Sequence, residues 1–289
     1  MRRGLLLYLF AIVVLLSCAK SRMKEHKEWA TYYTDNGLNN ACFMLFDNNH
    51  ESIHYYNLNR CTHRYLPASN FNIFNCLVAL ETNIAPDDQM IISWDSVVRS
   101  KPEWNKDLNM RDAFSTHAIP YFQALARRIG PANMQHYLDT VKYGNMKMGT
   151  KLDECWLNSS LQISADEEVG FLKRLYFHEL PFSERVQRIV RSMMLQEDSS
   201  NYKLYYYTGT GDIAATDSTV RWIIGYAEKI ENMKEPKGSM NATNARTYPY
   251  FFAQNFVTAK SDTTKDWPKL RLDMMRKVLK DYGALPNGN

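Results

Sequence analysis

The sequence lacks internal repeats and linker-like stretches, so its 289 residues predict one large folded domain rather than several small ones. It also lacks a strong surplus of charge, with 35 lysines and arginines against 31 acidic residues. Arg2 and Arg3 lie in a predicted signal segment, so the mature chain would carry about +2 instead of +4. A surplus this small indicates no nucleic-acid partner.

Cysteines are few, and no pair shows the close double spacing that is typical of a zinc site. Four of the five follow Cys18. Cys42 and Cys61 flank a predicted hairpin and could pair in an oxidising compartment. Cys76 and Cys155 lie in apolar stretches, which predicts small buried side chains.

The apolar run from Leu5 to Leu16 is too short for a spanning helix, and it follows two arginines as a secretory signal does. It leads into Leu15-Leu16-Ser17-Cys18, which resembles the lipobox of bacterial lipoproteins. In that family the chain is cut before the cysteine, and the thiol carries lipid. The alternative is an ordinary signal peptide in which Cys18 is incidental.

The lipobox resemblance implies a signal peptide at 1–17. The polar and charged residues that follow predict a lipidated tether at 18–38, and the folded domain is expected at 39–289. We therefore expect a lipoprotein anchored to a membrane of the bacterial envelope, on its periplasmic side or at the cell surface. The membrane and the leaflet stay open.

Residue periodicity predicts strands near both ends of the domain and helices between them. A helix is expected to begin at Ser69, and Ser164 with Glu167 forms a capping box for another. Further helices are predicted within 107–200 and over Trp267–Leu279. The strand-like segments are ACFMLFD, SIHYYNL, KLYYYTG, RWIIGYAE and YPYFFAQNF. This order predicts an α+β fold in which an antiparallel sheet is packed by helices.

The segment HESIH, residues 50–54, matches the zinc-protease pattern of two histidines around a glutamate. That chemistry needs a helix, so that both histidines face one metal ion. Here the segment follows an Asp-Asn-Asn turn and runs into strand-forming residues. In a strand, His50 and His54 would lie about 13 Å apart, too far for one ion. No metal site and no cofactor is therefore predicted.

The segment LPASNFNIFN, residues 66–75, is typical of a serine acyl-transfer enzyme, with Ser69 as the nucleophile at the start of a helix. Such a site needs a base one helical turn later, and that position is Asn72. An amide cannot take a proton from a serine. The alternative role for Ser69 is a helix N-cap.

The longer segment RYLPASNFNIFNCLVALET resembles the nucleophile region of class D, oxacillinase-type, β-lactamases. Similar segments follow in the family's order: IISWD, WNKDLNMRDAF, IPYFQALARRIG, KYGN, CWLNSSLQIS, LYFHELPFSERVQRIVRSMML, YTGTG, GYAE and KLRLDMMRKVL. The resemblance covers about residues 40–282 and includes the sensor domains of β-lactam receptors. It implies the serine β-lactamase and penicillin-binding transpeptidase fold: a twisted antiparallel sheet packed by helices, a mainly helical region, and a cleft between them.

The resemblance also implies that three proton-handling side chains are replaced. Asn72 stands where the family carries its base, a carbamylated lysine, and Trp156 matches the tryptophan that holds that carbamate, or only fills core. His117 stands at the serine of the second motif, because Ser115 would point elsewhere on a helix. Tyr207 replaces the lysine of the Lys-Thr-Gly motif, and it can only hydrogen-bond.

Other parts of the implied site match the family. Tyr143, Gly144 and Asn145 correspond to its structural loop. Thr208 and Gly209 correspond to the strand beside the substrate, and the backbone N–H groups of Ser69 and Thr210 to the oxyanion hole. Arg271 corresponds to the arginine that binds the substrate carboxylate; the alternative is a solvated residue on a basic helix.

Two functions follow from this pattern. The first is a penicillin-recognising, class D-type protein whose hydrolysis is weak or lost. In this protein His117 is the one candidate for a substitute base, and the alternative is that it only fills space in the cleft. If His117 is the base, the pH profile of activity should show a limb near the ordinary histidine pKa. The second is a non-catalytic lipoprotein that binds or senses a β-lactam or a peptidoglycan peptide. The preferred ligand and the oligomeric state stay open.

Overall fold

The computed structural model describes residues 22–232 and 245–287, and the predicted signal peptide and Cys18 lie outside them. Nine strands are present in this part of the chain. They are β1 (Met23–Glu25), β2 (Ala41–Asp47), β3 (Ser52–Tyr56), β4 (Ile91–Ile92), β5 (Leu108–Asn109), β6 (Leu195–Asp198), β7 (Tyr202–Ile213), β8 (Ser218–Asn232) and β9 (Ala245–Ala259).

Eight α-helices accompany them: α1 (Ala30–Thr34), α2 (Leu58–Cys61), α3 (Phe71–Glu81), α4 (Met110–Ser115), α5 (Ile119–Val141), α6 (Ala165–Tyr176), α7 (Glu184–Met194) and α8 (Trp267–Tyr282). The predicted capping box of Ser164 and Glu167 begins α6. Helix α5 is broken at Gly130, which has a φ of 79° and is followed by Pro131. Among the described helices, none is both long enough and apolar enough to cross a bilayer.

Seven strands form one sheet in the order β1-β3-β2-β9-β8-β7-β6. All its pairs are antiparallel except β1 with β3. Alternate side chains of β2 enter different cores: Met44 packs on the side of α3, α5, α6 and α7, whereas Phe43 packs on the side of α1 and α8. The predicted α+β fold, with a mainly antiparallel sheet between helices, is confirmed.

The folded part begins earlier than the predicted boundary at residue 39. Residues 23–25 extend the sheet as β1, and Trp29 and Tyr33 are fully buried against α8 and the sheet. In the sequence, charged residues flank Trp29 and Tyr33. The composition of the segment therefore did not indicate that these aromatic side chains pack in the core. The expectation of a tether over 18–38 is therefore corrected for residues 22–38.

The zinc-like segment lies in a turn and a strand. His50 follows β2 and contacts Asp47, with 2.8 Å between Nδ1 and Oδ2, while His54 belongs to β3. No group of three metal-ligating side chains occurs in the described ranges.

The cysteines of the described part are four free thiols, and all four are buried. Cys76 and Cys155 are buried as predicted.

Candidate functional site

Ser69 lies at the entrance of helix α3, on a short 3-10 turn formed by Ala68–Asn70. The residue before it, Ala68, has a left-handed φ of 49°, and its N–H donates to Trp156 O at 3.1 Å. Ser69 is therefore inside the turn and is not the N-cap that its sequence position allowed. It keeps 7% of its surface exposed. The strained residue and the anchored backbone fix the direction in which the serine points.

The segment that carries Ser69 is pressed against strand β7. A Cβ atom on Gly209 would lie 2.8 Å from Pro67 O, and one on Gly211 would lie 2.6 Å from Leu66 Cδ1. From β8, Trp222 Nε1 donates to Leu66 O at 3.0 Å. Glycine at position 209 is thus required for the backbone of the nucleophile segment to approach this closely, whereas the contact at position 211 is with a flexible leucine side chain.

The two positions where the family carries lysine lie together and bind each other. Asn72 Nδ2 donates to the Tyr207 hydroxyl at 3.1 Å, and that hydroxyl donates to Phe114 O at 2.7 Å. Asn72 is 1% exposed and Tyr207 is 3% exposed. The Tyr207 ring stacks on Phe114, with centroids 4.0 Å apart. The two replacements therefore form one buried, hydrogen-bonded unit in which neither side chain can accept a proton from serine at neutral pH.

His117 lies on the other side of Tyr207, with ring centroids 4.4 Å apart. Its Nε2 is 3.3 Å from Thr208 Oγ1, and its Nδ1 is buried without a partner among the described residues. Burial, and then the charge of Arg271, lower the pKa of His117 to about 3. The ring is neutral and weakly basic at pH 7, so a pH limb near the ordinary histidine pKa is not expected. Ser115 Oγ donates to Asp112 O at 3.0 Å, and Ser115 lines the same cavity as His117.

Arg271 projects from α8 to β7. It is 7% exposed, which excludes the alternative of a solvated residue. Its Nη1 donates to Gly209 O at 2.9 Å and to Thr210 Oγ1 at 3.2 Å. Burial lowers the pKa of the guanidinium to about 10, so it remains charged at neutral pH. Its Nε is a buried donor without a partner in the described part of the chain.

A cavity of about 270 Å³ joins these residues. Four predicted site residues line it, and Ser69 and Asn72 do not. Tyr207, which lines the cavity, separates it from Asn72. The lining residues are Phe114, Ser115, His117, Gln196, Tyr206, Tyr207, Thr208, Pro268, Arg271 and Leu272.

The supporting residues hold the walls of the site. Trp156 is buried and stacks on Phe71 at the start of α3, with centroids 5.3 Å apart. Gly144 has a φ of 53°, and an added Cβ would lie 2.1 Å from Gln162 O. Asn145 Nδ2 donates to Ser160 O at 2.9 Å. The Tyr143-Gly144-Asn145 loop thereby fixes the segment after Trp156.

Sequence reasoning missed a buried carboxyl group behind the nucleophile. Glu168 Oε1 accepts from Asn70 Nδ2 at 3.3 Å and from the Tyr143 hydroxyl at 3.2 Å. Its Oε2 is buried without a partner among the described residues. Burial raises the pKa of Glu168 to about 8. The available signal was its place on the apolar face of α6, one turn from Ala165 and from Leu172.

This shift predicts how stability depends on pH. Between the ordinary value of 4.5 and about 8, the folded chain keeps a proton that the unfolded chain releases. The contribution of Glu168 to the free energy of unfolding therefore falls as pH rises from 5 to 8, by up to about 1.4 kcal/mol per pH unit. Glu168→Gln has the shape of the neutral acid and should abolish that fall. Urea denaturation of both chains at several pH values tests this, and parallel profiles would contradict it.

The sequence and the fold are similar to those of known proteins. Residues 24–250 match the family model described as the penicillin binding protein transpeptidase domain. The chain is 30% identical to β-lactamase OXA-48 of Klebsiella pneumoniae over 279 residues, covering 96% of this chain and 97% of that protein. It is 34% identical to regulatory protein BlaR1 of Bacillus licheniformis, covering 72% of this chain and 34% of that protein. The crystal structure of the class D β-lactamase YbXI from Nostoc is similar, with a TM-score of 0.77, 34% identity, and coverage of 89% of this chain and 99% of that one.

Proposed function

The chain belongs to the family of class D serine β-lactamases and penicillin-binding transpeptidases, and from this premise we propose that it recognises β-lactams with weak or lost hydrolysis. The observation that carries the proposal is the hydrogen bond between Asn72 and Tyr207. The two residues that form this bond occupy both lysine positions of the family, and neither side chain can serve as a base.

The residues that remain suit binding and attack. The Ser69 hydroxyl is the nucleophile for the lactam carbonyl, and the backbone N–H groups of Ser69 and Thr210 receive the developing oxyanion. Arg271 and Thr208 border the cavity and suit the substrate carboxylate. Positioned acid–base catalysis contributes roughly 10²–10⁴-fold, so its loss slows acylation and, above all, release of the acyl group by water.

Intact-mass spectrometry after incubation with benzylpenicillin tests the proposal, together with nitrocefin hydrolysis. We expect a slowly formed adduct on Ser69 that persists, and turnover that is weak or absent. Ser69→Ala should remove the adduct, whereas His117→Ala should leave it. A short-lived adduct with rapid product formation would overturn the proposal in favour of an active enzyme with a different base.

A second candidate is a binding or sensor protein without turnover. It is favoured by the cavity, which holds Arg271 and Thr208 but not Ser69, and by the similarity to regulatory protein BlaR1. Its ligand would be a β-lactam or a peptidoglycan peptide. Saturable binding of benzylpenicillin that is equal in the wild type and Ser69→Ala, with no adduct in either, would favour this candidate.

Gly209 gives a test of the nucleophile segment. A Cβ there would lie 2.9 Å from Asn70 Oδ1 as well as close to Pro67 O, so Gly209→Ala must push Ser69 away from β7. We expect the rate of adduct formation to fall about 10–100-fold, since displacements near 1 Å cost this much. Gly170→Ala is the matched control, because its added Cβ meets nothing within 4 Å. Equal acylation rates in the two variants would show that the close approach is not needed.

We also propose that the protein is a lipoprotein of the bacterial envelope, anchored through Cys18. The support is the sequence Leu15-Leu16-Ser17-Cys18 after a short apolar run. Cys18→Ser should release the protein from the membrane fraction and make its processing insensitive to globomycin. A variant that stays in the membrane fraction would count against the anchor.

A further inference from the structure

Two cysteines lie on the same side of strand β2, remote from the cavity. Cys42 belongs to β2, and Cys61 is the last residue of α2. Both are 0% exposed, and both pack in the core that contains Met44. The intervening residue Phe43 packs in the opposite core. The alternation of the strand therefore directs the Cys42 side chain toward the helix that carries Cys61.

The Cys61 sulfur lies against the backbone of the β2–β3 ladder. Cys61 Sγ lies 3.4 Å from Phe43 O and 3.5 Å from Tyr56 O, and these two residues face each other across β2 and β3. The Cys61 sulfur therefore lies beside Cys42, close enough for each thiol to shift the pKa of the other.

A buried cation lies next to this pair. Arg60 is 4% exposed, and among the described residues it has no carboxylate partner. Its Nη1 donates to Asn40 and Tyr65, while its Nη2 has no partner there. Burial raises the pKa of the Cys42 thiol, but the hydrogen bond from Cys61 and the charge of Arg60 outweigh burial and lower it overall. This shift belongs to the folded, reduced chain, in which the same interaction and burial raise the pKa of Cys61. A disulfide would remove both ionisable thiols from this buried site.

We propose that Cys42 and Cys61 form a disulfide bond when the chain folds in the presence of an oxidising disulfide. The Cys42 thiolate attacks one sulfur of the oxidant, giving a mixed disulfide and one released thiol. The Cys61 thiolate then attacks the Cys42 sulfur and releases the second thiol. Two electrons and two protons pass from the cysteines to the oxidant, which becomes a dithiol.

The burial of both sulfurs fixes when the bond can form. An oxidant cannot reach them in the folded chain, so exchange is fast during folding and slow afterwards. The bond would close the loop 43–60, which contains the β2–β3 turn and α2 and leads into the segment before Ser69. This inference stands on contacts remote from the cavity, so it is independent of the proposed β-lactam chemistry.

The test is refolding of the full chain from guanidinium with either oxidised or reduced dithiothreitol. Free thiols are then alkylated with N-ethylmaleimide under denaturing conditions, and the intact mass is measured. We expect two fewer labels on the oxidised sample, a peptide that links Cys42 to Cys61, and a midpoint of thermal unfolding higher by about 5–15 °C. The native chain, treated with the same oxidant without unfolding, should lose its two labels much more slowly.

Variants sharpen the assignment. Cys61→Ser should abolish the difference in labels, while Cys155→Ser should retain it. Equal labelling of the oxidised and reduced wild type, or a link between other cysteines, would overturn the proposal. The peptide map of the wild type decides this even if a variant fails to fold.

Discussion

The triple variant Asn72→Lys, His117→Ser, Tyr207→Lys is expected to raise kcat/KM for nitrocefin by about 10²–10⁴-fold over the wild type, whereas Asn72→Lys alone is expected to have little effect. The comparison is made with bicarbonate present, since the family's base is a carbamate. Residues that act as one catalytic unit are strongly non-additive, so restoring one member gains little.

The structure gives the physical reason for failure of the single change. Asn72 is buried, and its amide already contacts the Tyr207 hydroxyl at 3.1 Å. A longer lysine would need the volume that the Tyr207 ring occupies between Phe114 and His117. Overpacking of this kind typically costs about 1–3 kcal/mol. Removing the tyrosine and the histidine together opens that volume for the lysine and its carbamate.

Two controls make the comparison decisive. Ser69→Ala in the triple background should return hydrolysis to the uncatalysed rate, and thermal unfolding should show that each variant is folded. If Asn72→Lys alone turns over nitrocefin as fast as the triple variant, Asn72 is the only defect. The view that the three positions act as a rebuilt unit would then be wrong.

The order of elements could be predicted from local patterns, but the partnerships in the site could not. Alternation and helical spacing gave the strands and helices, because burial on one face leaves a periodic trace in the sequence. The contact of Asn72 with Tyr207 joins residues 135 positions apart, and no local pattern records it. Motif order suggested that both lysines are replaced; only the fold shows that the replacements bind each other.

The start of the domain shows a second limit of prediction from local sequence patterns. Residues 22–28 are mostly exposed and charged, and local composition therefore indicated a tether. Their place is set by tertiary contacts instead: β1 pairs with β3, and Trp29 enters the core formed with α8. A few buried aromatic side chains outweigh many solvated charges, since each buries about 150–250 Å².

Trp29→Ala should therefore destabilise the whole domain, with a cost of about 3–5 kcal/mol in the free energy of unfolding and a fall of about 6–20 °C in the unfolding midpoint. The indole is fully buried, stacks on His26 with centroids 4.2 Å apart, and donates from Nε1 to Asp281 Oδ2 at 2.8 Å. Its removal leaves a cavity between residues 22–38 and α8, and it also leaves Asp281 without this donor.

Lys27→Ala is the matched control, because Lys27 lies in the same 3-10 turn and is exposed. It should change the free energy of unfolding by less than about 0.5 kcal/mol. Urea denaturation of both variants, followed by circular dichroism, measures the difference. If Trp29→Ala lowers the free energy of unfolding no more than Lys27→Ala does, residues 22–38 are dispensable for folding and the domain begins near residue 39. A large difference means that the segment around Trp29 belongs to the folded domain.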